Sequence, residues 1–301
     1  MRIAHATDIH WFVPPRWVDF APRRVVGTLN LYARGRRHEF DDRVQGALVT
    51  HLIETRPDLV LITGDLTAQA LPAEFVKARK ALDPVLLGVQ AFVIPGNHDA
   101  YTHGAVRSRA FHQTFGPWNG TPDASGLVRR DLDLSEDRVT LFGLDPNRAT
   151  LVTASGWIPD AQLAALERAL ADPELAGRTV VLATHYPPID RHGEVYDGST
   201  HGLKNARALI AVLDRSPVRP CLVACGHIHH GFRADIVLSD GARVPVVNCG
   251  TSGQSYQPER RRAAATAVYR VEGNAIVDVE RYVHDGERFV PESGGAWHSG
   301  R

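Results

Sequence analysis

The chain has 301 residues, 44% of them hydrophobic, with 34 Lys plus Arg against 34 Asp plus Glu. That length can bury one large core, and the balanced charge excludes a global field that would gather nucleic acid or anionic membrane. The three cysteines, Cys221, Cys225 and Cys249, form no C-x-x-C pair and no even set, which speaks against a disulfide scaffold and for a reducing compartment. No basic and apolar leader precedes Asp8, and no apolar run approaches the roughly 18 residues of a spanning helix. A single cytoplasmic domain over residues 1–301 is expected, since no linker divides the chain.

A first strand is expected at Arg2–Ala6, and "TDIHW" follows it, with Asp8 and His10 two residues apart where the apolar run ends. Residues 12–40 mix Trp17, Phe20, Leu29 and Tyr32 with Arg16, Arg23, Arg24, Arg34, Arg36 and Arg37. Such interleaving suits a segment lying on anionic lipid or clasping an amphiphilic phosphate ester, and equally an arginine-rich helix packed on the core. Val44, Ala47, Leu48 and Leu52 recur at steps of three and four, which predicts a helix. "DLVLIT" (58–63) and "AFVIP" (91–95) read as buried strands, the first followed by Gly64 and Asp65, the second by "GNHD", Gly96 to Asp99. "VTLFGLD" (139–145) is another, with Asn147 and Arg148 just beyond it. Pro159 then opens a helix carrying Leu163, Leu166 and Leu170.

"TVVLATH" (179–185) closes on His185. The polar loop after it contains His192 and His201, which read as solvated loop histidines. A helix is expected over Leu203–Leu213, and "CLVACGH" (221–227) leads into "GHIH", Gly226 to His229. After Gly231 the pattern becomes that of hairpins, so residues 231–301 are expected to form antiparallel strands completing a second sheet. Strands alternating with helices imply a largely parallel sheet with helices outside it. The fold class is therefore α/β, a sandwich with mixed sheets.

What stands at the strand ends carries the chemistry. In open α/β sheets ligands bind beyond the carboxyl ends of strands, and five such ends here supply Asp8, His10, Asp65, Asn97, His185, His227 and His229. Oxygen and nitrogen donors without thiolate suit divalent Mn, Fe or Zn. Asp8-x-His10 and His227-x-His229 each put alternate side chains on one side of extended backbone. The donors exceed what one ion accepts, and Asp65 can bridge, so two divalent metal ions are expected. The glycines before Asp65, Asn97 and His227 permit tight turns. Singly these motifs are weak, because Asp-x-His is commonly a solvated strand end and Gly-Asp a turn. Their joint order is what points to metal.

The blocks "DIH", "GD", "GNHD", His185 and "GHIH" resemble, in order and over residues 8–229, those of the calcineurin-like metallophosphoesterase superfamily, in particular its class III branch of cyclic-nucleotide and glycerophosphodiester phosphodiesterases. The resemblance implies a four-layer α/β/β/α sandwich of two mixed sheets flanked by helices, with a dinuclear site at the strand ends. One metal would take Asp8, His10, Asp65 and His229, the other Asp65, Asn97, His185 and His227. A metal-bridging hydroxide would attack phosphorus in line, His98 would assist the leaving group with Asp99 as its orienter, and the partner would be a small phosphate ester of nucleotide or lipid type. Two carboxylates under two dications leave excess positive charge for that anion, and Asn147 and Arg148 are candidate substrate contacts.

The 12–40 segment also resembles, loosely, the matching region of bacterial enzymes that cleave UDP-diacylglucosamine in lipid A synthesis. That keeps pyrophosphate hydrolysis and a peripheral membrane contact as the alternative reading. Repair nucleases share the five blocks, but residues 231–301 are too short for their added DNA-binding domain. Trafficking scaffolds of this fold usually lose ligand or acid residues, which this chain retains.

Overall fold

A computed structural model describes residues 1–15, 39–134, 137–147, 155–196 and 202–292. In chain order its strands are β1 (Arg2–Ala6), β2 (Leu59–Ile62), β3 (Gln90–Val93), β4 (Val128–Leu134), β5 (Asp137–Leu144), β6 (Thr179–Thr184), β7 (Leu222–Cys225), β8 (Phe232–Val237), β9 (Arg243–Asn248), β10 (Ala265–Glu272), β11 (Ala275–His284) and β12 (Phe289–Pro291). The helices are α1 (Asp42–Glu54), α2 (Pro72–Leu86), α3 (His103–Ser108), α4 (Ala110–Asn119), α5 (Asp160–Leu170) and α6 (Ala206–Arg215).

The strands form two six-stranded mixed sheets, ordered β12-β11-β10-β1-β2-β3 and β4-β5-β6-β7-β9-β8. Within them β1-β2-β3 and β5-β6-β7-β9 run parallel. Buried on both faces, β2 and β6 are unbroken apolar or β-branched runs, as parallel strands under helices must be. Leu59, Leu61, Phe92, Leu141, Val181 and Tyr269 fill the space between the sheets. Outside one sheet, Leu48 and Leu52 of α1 and Phe75 and Leu82 of α2 cover Val60 and Ile62. Outside the other, Leu166 and Leu170 of α5 and Leu209 of α6 cover Leu182 and Val223. The result is the four-layer α/β/β/α sandwich. Because both parallel sets point the same way within their layers, the loops after β1, β2, β3, β6 and β7 share one mouth.

Local chemistry sets the helix starts. Asp41 caps α1 by accepting from the Arg43 amide at 2.8 Å, one of the donors a helix start leaves unpaired. Pro72 opens α2, and the Glu74 carboxylate accepts from the amides of Gln69 and Leu71. The spacing reading did not anticipate α2, whose charged and small residues dilute its apolar stripe. Helix α6 starts at Ala206 rather than Leu203. The Asn205 side chain clasps Ile158, accepting from its amide at 3.0 Å and donating to its carbonyl at 2.7 Å, which holds the preceding residues in a turn.

The expectation that residues 231–301 complete one sheet is corrected. β8 and β9 do join β7, but β10 to β12 extend the other sheet from β1, with Ile3 opposite Tyr269 and Ala4 opposite Val268. Without β10, the first strand of the parallel set would expose an edge.

The same pairing buries His5, which meets Tyr269 Oη at 2.6 Å and Thr63 Oγ1 at 2.8 Å. Burial pushes its pKa down to about 3 against the pull of the Asp8 carboxylate. A base depressed on folding contributes stability that is present above its unfolded pKa of about 6.5 and is lost as pH falls toward the folded value. We expect unfolding free energy to drop by about 2 kcal/mol between pH 6.5 and 5 through this group. Urea titrations of wild type and His5→Gln across that range measure it, and parallel pH curves for the two proteins would refute it.

Candidate metal centre

The mouth is assembled by turns pressed together. The amides of Asp8 and His10 donate to the carbonyls of Gly64 and Asp65 at 3.0 and 2.9 Å. A Cβ on Gly226 would meet Thr7 Oγ1 at 2.0 Å and Asp8 Oδ2 at 2.6 Å, so only glycine lets the "GHIH" turn close over Asp8. Once there, the His227 amide donates to Asp8 Oδ2 at 2.9 Å. Asp8, His10, Asp65 and His227 all hold positive φ, between 52° and 68°. Left-handed backbone is uncommon outside glycine and costs about 1 kcal/mol per residue, although Asp and His tolerate it better than most. Four of seven expected donors thus sit in strained backbone, as functional sites often require.

The expected donors gather. Ligand atoms of Asp8, His10 and His229, of Asp8, Asp65 and His185, and of His10, Asp65 and His98 lie within 4.8 Å of one another in each group. His229 Nε2 is 3.3 Å and His10 Nε2 3.8 Å from Asp8 Oδ1. His185 Nε2 is 3.4 Å from Asp65 Oδ2 and 3.0 Å from Asn97 Oδ1, and His227 Nδ1 is 2.8 Å from the same Asn97 oxygen. Asn97 therefore ties His227 into the cluster.

Buried polar atoms are normally satisfied. Yet Asp8 Oδ1, His10 Nε2 and His227 Nε2 are buried there without a hydrogen-bond partner, which is the condition a cation would relieve. His185 Nδ1 donates to the Thr63 carbonyl at 2.7 Å, since a carbonyl only accepts, so in the neutral ring Nε2 has the lone pair for a ligand bond. Burial alone would raise the Asp8 and Asp65 carboxyls. The neighbouring histidines reverse this, His10 and His229 by standing close to the Asp8 carboxylate and His185 by charge on Asp65, and hold both well below the carboxylate range. Burial disfavours the charged form of His185, but the Asp65 carboxylate outweighs it and raises its pKa to about 9. Without dications, the two buried carboxylates draw a proton onto an imidazole. Two carboxylates with neutral imidazole and amide donors fit divalent metal ions.

His98 departs from expectation. Its ring stands edge-on to His10, with centroids 4.7 Å apart, and stacks on Tyr101 at 5.4 Å. Burial lowers its pKa to about 4, despite Asp65, so it is neutral near pH 7 rather than close to its ordinary value. Asp99 does not orient it directly, which corrects that assignment. The Asp99 carboxylate accepts from the amides of Leu66, Thr67 and Gly96 and from Thr67 Oγ1. The group facing His98 Nδ1 is the Ala68 carbonyl, at 2.6 Å. Asp99 instead stiffens the turn that presents Ala68, and burial raises its own pKa to about 6.

Asn147 is also turned inward, its Nδ2 donating to the Pro95 carbonyl at 3.0 Å and to Asp145 Oδ1 at 2.7 Å. It braces the turn before Gly96, and is not free to bind substrate through that amide. Arg148, His201 and residues 16–38, which carried the lipid-surface expectation, lie outside the described residues. His192 is exposed beside Arg191. Gln45, Phe40 and Tyr101 were missed by the motif reading. Gln45 Nε2 donates to the carbonyls of Ile9 and His10 at 2.8 and 3.3 Å, and the Phe40 ring lies 4.4 Å from that of His10. Only Tyr101, two residues past "GNHD", left a signal in the sequence. No helix among the described residues is long and apolar enough to cross a membrane.

Fold and donor set together define a two-sheet α/β sandwich protein with a buried metal-type cluster at its strand ends. The chain belongs to the calcineurin-like phosphoesterase family, whose sequence profile matches residues 1–231. It is 32% identical over 204 residues to a cAMP/cGMP dual specificity phosphodiesterase of Mycobacterium tuberculosis, covering 65% of this chain and 57% of that protein. A glycerophosphodiester phosphodiesterase of Enterobacter lignolyticus is 29% identical over 182 residues, 59% of this chain and 58% of that one. The chain thus spans somewhat over half the length of these relatives. Among solved structures, a dimetal phosphatase of Danio rerio superposes with a TM-score of 0.54 at 15% identity, covering 96% of this chain and 98% of the other. A purple acid phosphatase of yellow lupin does so at 0.56 and 13% identity, over 95% and 52%. At such identities these two structures speak to the fold.

Proposed function

We propose that this protein is a metal-dependent hydrolase of phosphodiesters, with Asp8, His10, Asp65, Asn97, His185, His227 and His229 holding two divalent ions. The observation that carries the reading is the set of overlapping donor groups around Asp8 and Asp65, with unpartnered buried atoms on Asp8, His10 and His227. Relatives named as cyclic nucleotide and glycerophosphodiester phosphodiesterases support diesters as the substrate class. When bound, a pair of divalent ions would supply a water of lowered pKa and neutralise charge at phosphorus.

The chain's own residues do the rest. Asp65 Oδ1 accepts from the His98 amide at 2.7 Å, so the turn bearing His98 is pinned to the expected bridging carboxylate. His98 Nδ1 donates a hydrogen bond to the Ala68 carbonyl, which leaves Nε2 as the atom available to substrate. Being neutral, His98 takes a proton from solvent at Nε2 when the phosphate anion arrives beside it, and it can then pass that proton to the leaving oxygen. Tyr101 and Phe40 pack against the His98 and His10 rings respectively.

Turnover of bis(p-nitrophenyl) phosphate with added manganese, against p-nitrophenyl phosphate, tests the class. In the same assay His98→Ala should lower kcat about 100-fold while elemental analysis finds its metal content intact. Metal-independent turnover, or an unaltered kcat in the variant, would count against the reading.

A further inference from the structure

Beyond His229 the mouth continues into a cavity of about 920 Å³, lined among others by Glu39, Tyr256, Arg261, Arg262, Arg281 and Glu292. Such a volume is ample for a polar group larger than a nitrophenyl ring. Two of its three arginines are already matched. Arg262 pairs with Glu39 at 3.4 Å, and Arg281 pairs with Glu292 and donates to the Cys249 carbonyl at 3.4 Å. The remaining carboxylate on the wall, Asp285, accepts from the amides of Glu287 and Arg288 within its own turn.

Arg261 is the unmatched cation. It is exposed, and among the described residues no side-chain bond or ion pair engages its guanidinium. Its backbone is left-handed, with φ at 53°, a conformation glycine adopts freely and arginine at a cost. The turn is tightly specified. The Arg261 amide donates to the Pro258 carbonyl at 3.0 Å, and Gln257 and Arg262 exchange backbone bonds at 2.8 and 3.1 Å. An exposed guanidinium on a tightly fixed turn, facing a cavity whose other two arginines are paired, is placed to meet an anion that enters from solvent.

We propose that this cavity is a second anion subsite, taking the leaving alcohol of a phosphodiester that carries a further anionic group, with Arg261 as the specificity-determining contact. The inference rests on the phosphodiester reading. Diesters without that second charge, such as cyclic nucleotides, would leave Arg261 unused.

The test compares glycerophosphoserine with glycerophosphoethanolamine, which differ by one carboxylate, on manganese-loaded wild type and Arg261→Gly. Glycine suits the left-handed turn, so the variant should melt at the same temperature or higher. Its kcat/KM preference for glycerophosphoserine over glycerophosphoethanolamine should fall about fivefold, the upper end for an exposed charge pair. An unchanged preference overturns the proposal. If wild type hydrolyses no diester, the phosphodiester reading fails separately, and calorimetry with the non-hydrolysable phosphonate analogue of glycerophosphoserine decides the subsite. Weaker binding by Arg261→Gly upholds it, whereas equal binding, or none by wild type, overturns it.

Discussion

Asp65→Asn should abolish turnover, by about 1000-fold or more, and remove most bound metal. The substitution keeps the shape of the side chain, and its amide oxygen can still accept from the His98 amide as Asp65 Oδ1 does at 2.7 Å. What it removes is one of the two buried charges around which the donors converge. Asp65 is 1% exposed and takes part with His10 and His98 in one donor group and with Asp8 and His185 in another. Manganese should raise the melting temperature of wild type, because a ligand that binds only the folded state stabilises it, and leave that of the variant nearly unmoved. Elemental analysis and thermal melts with and without manganese check both statements. A variant that purifies with full metal and normal turnover would end the case for this centre.

Gly96→Ala should be nearly as damaging, although Gly96 itself supplies no donor atom. A Cβ there would lie 2.2 Å from Asp65 Oδ1 and 2.3 Å from the Asp65 amide nitrogen. The first neighbour is a short side chain already held by the His98 amide, and the second is backbone, so neither can yield cheaply. The turns after β2 and β3 must part, carrying Asp65 and Asn97 from each other. A misplacement of about 1 Å in a preorganised site costs on the order of 100-fold in rate. Activity of Gly96→Ala should fall about that much, while far-ultraviolet circular dichroism stays that of wild type, since the two β-layers do not depend on the turn. Full activity in this variant would show that the close approach of the two turns is dispensable.

Which residue types stand at five strand ends, and in what order, is legible in the chain alone, and with them the α/β class. This is so because buried parallel strands must be unbroken apolar runs, and because ligand-type residues abruptly ending such runs are conspicuous. The helices α1 and α5 were legible for a related reason, their buried leucines repeating at helical spacing. Helix α2 was not, since its buried stripe is carried in part by alanines and by Glu74, whose carboxylate serves backbone amides.

The rest depends on how distant segments meet in the fold. That β10 pairs with β1 across more than 260 residues depends on which strand edge lies open after the parallel set has formed, and no local pattern encodes it. The Ala68 carbonyl, and not Asp99, meets His98 because the turn after Asp65 folds back over the "GNHD" loop. Burial lowers the pKa of His98 and the histidines restrain those of Asp8 and Asp65, and both effects arise from desolvation and charges brought close by folding. Residue identity supplies the donors; distance and dielectric, which exist only in three dimensions, set how they are charged and what they face.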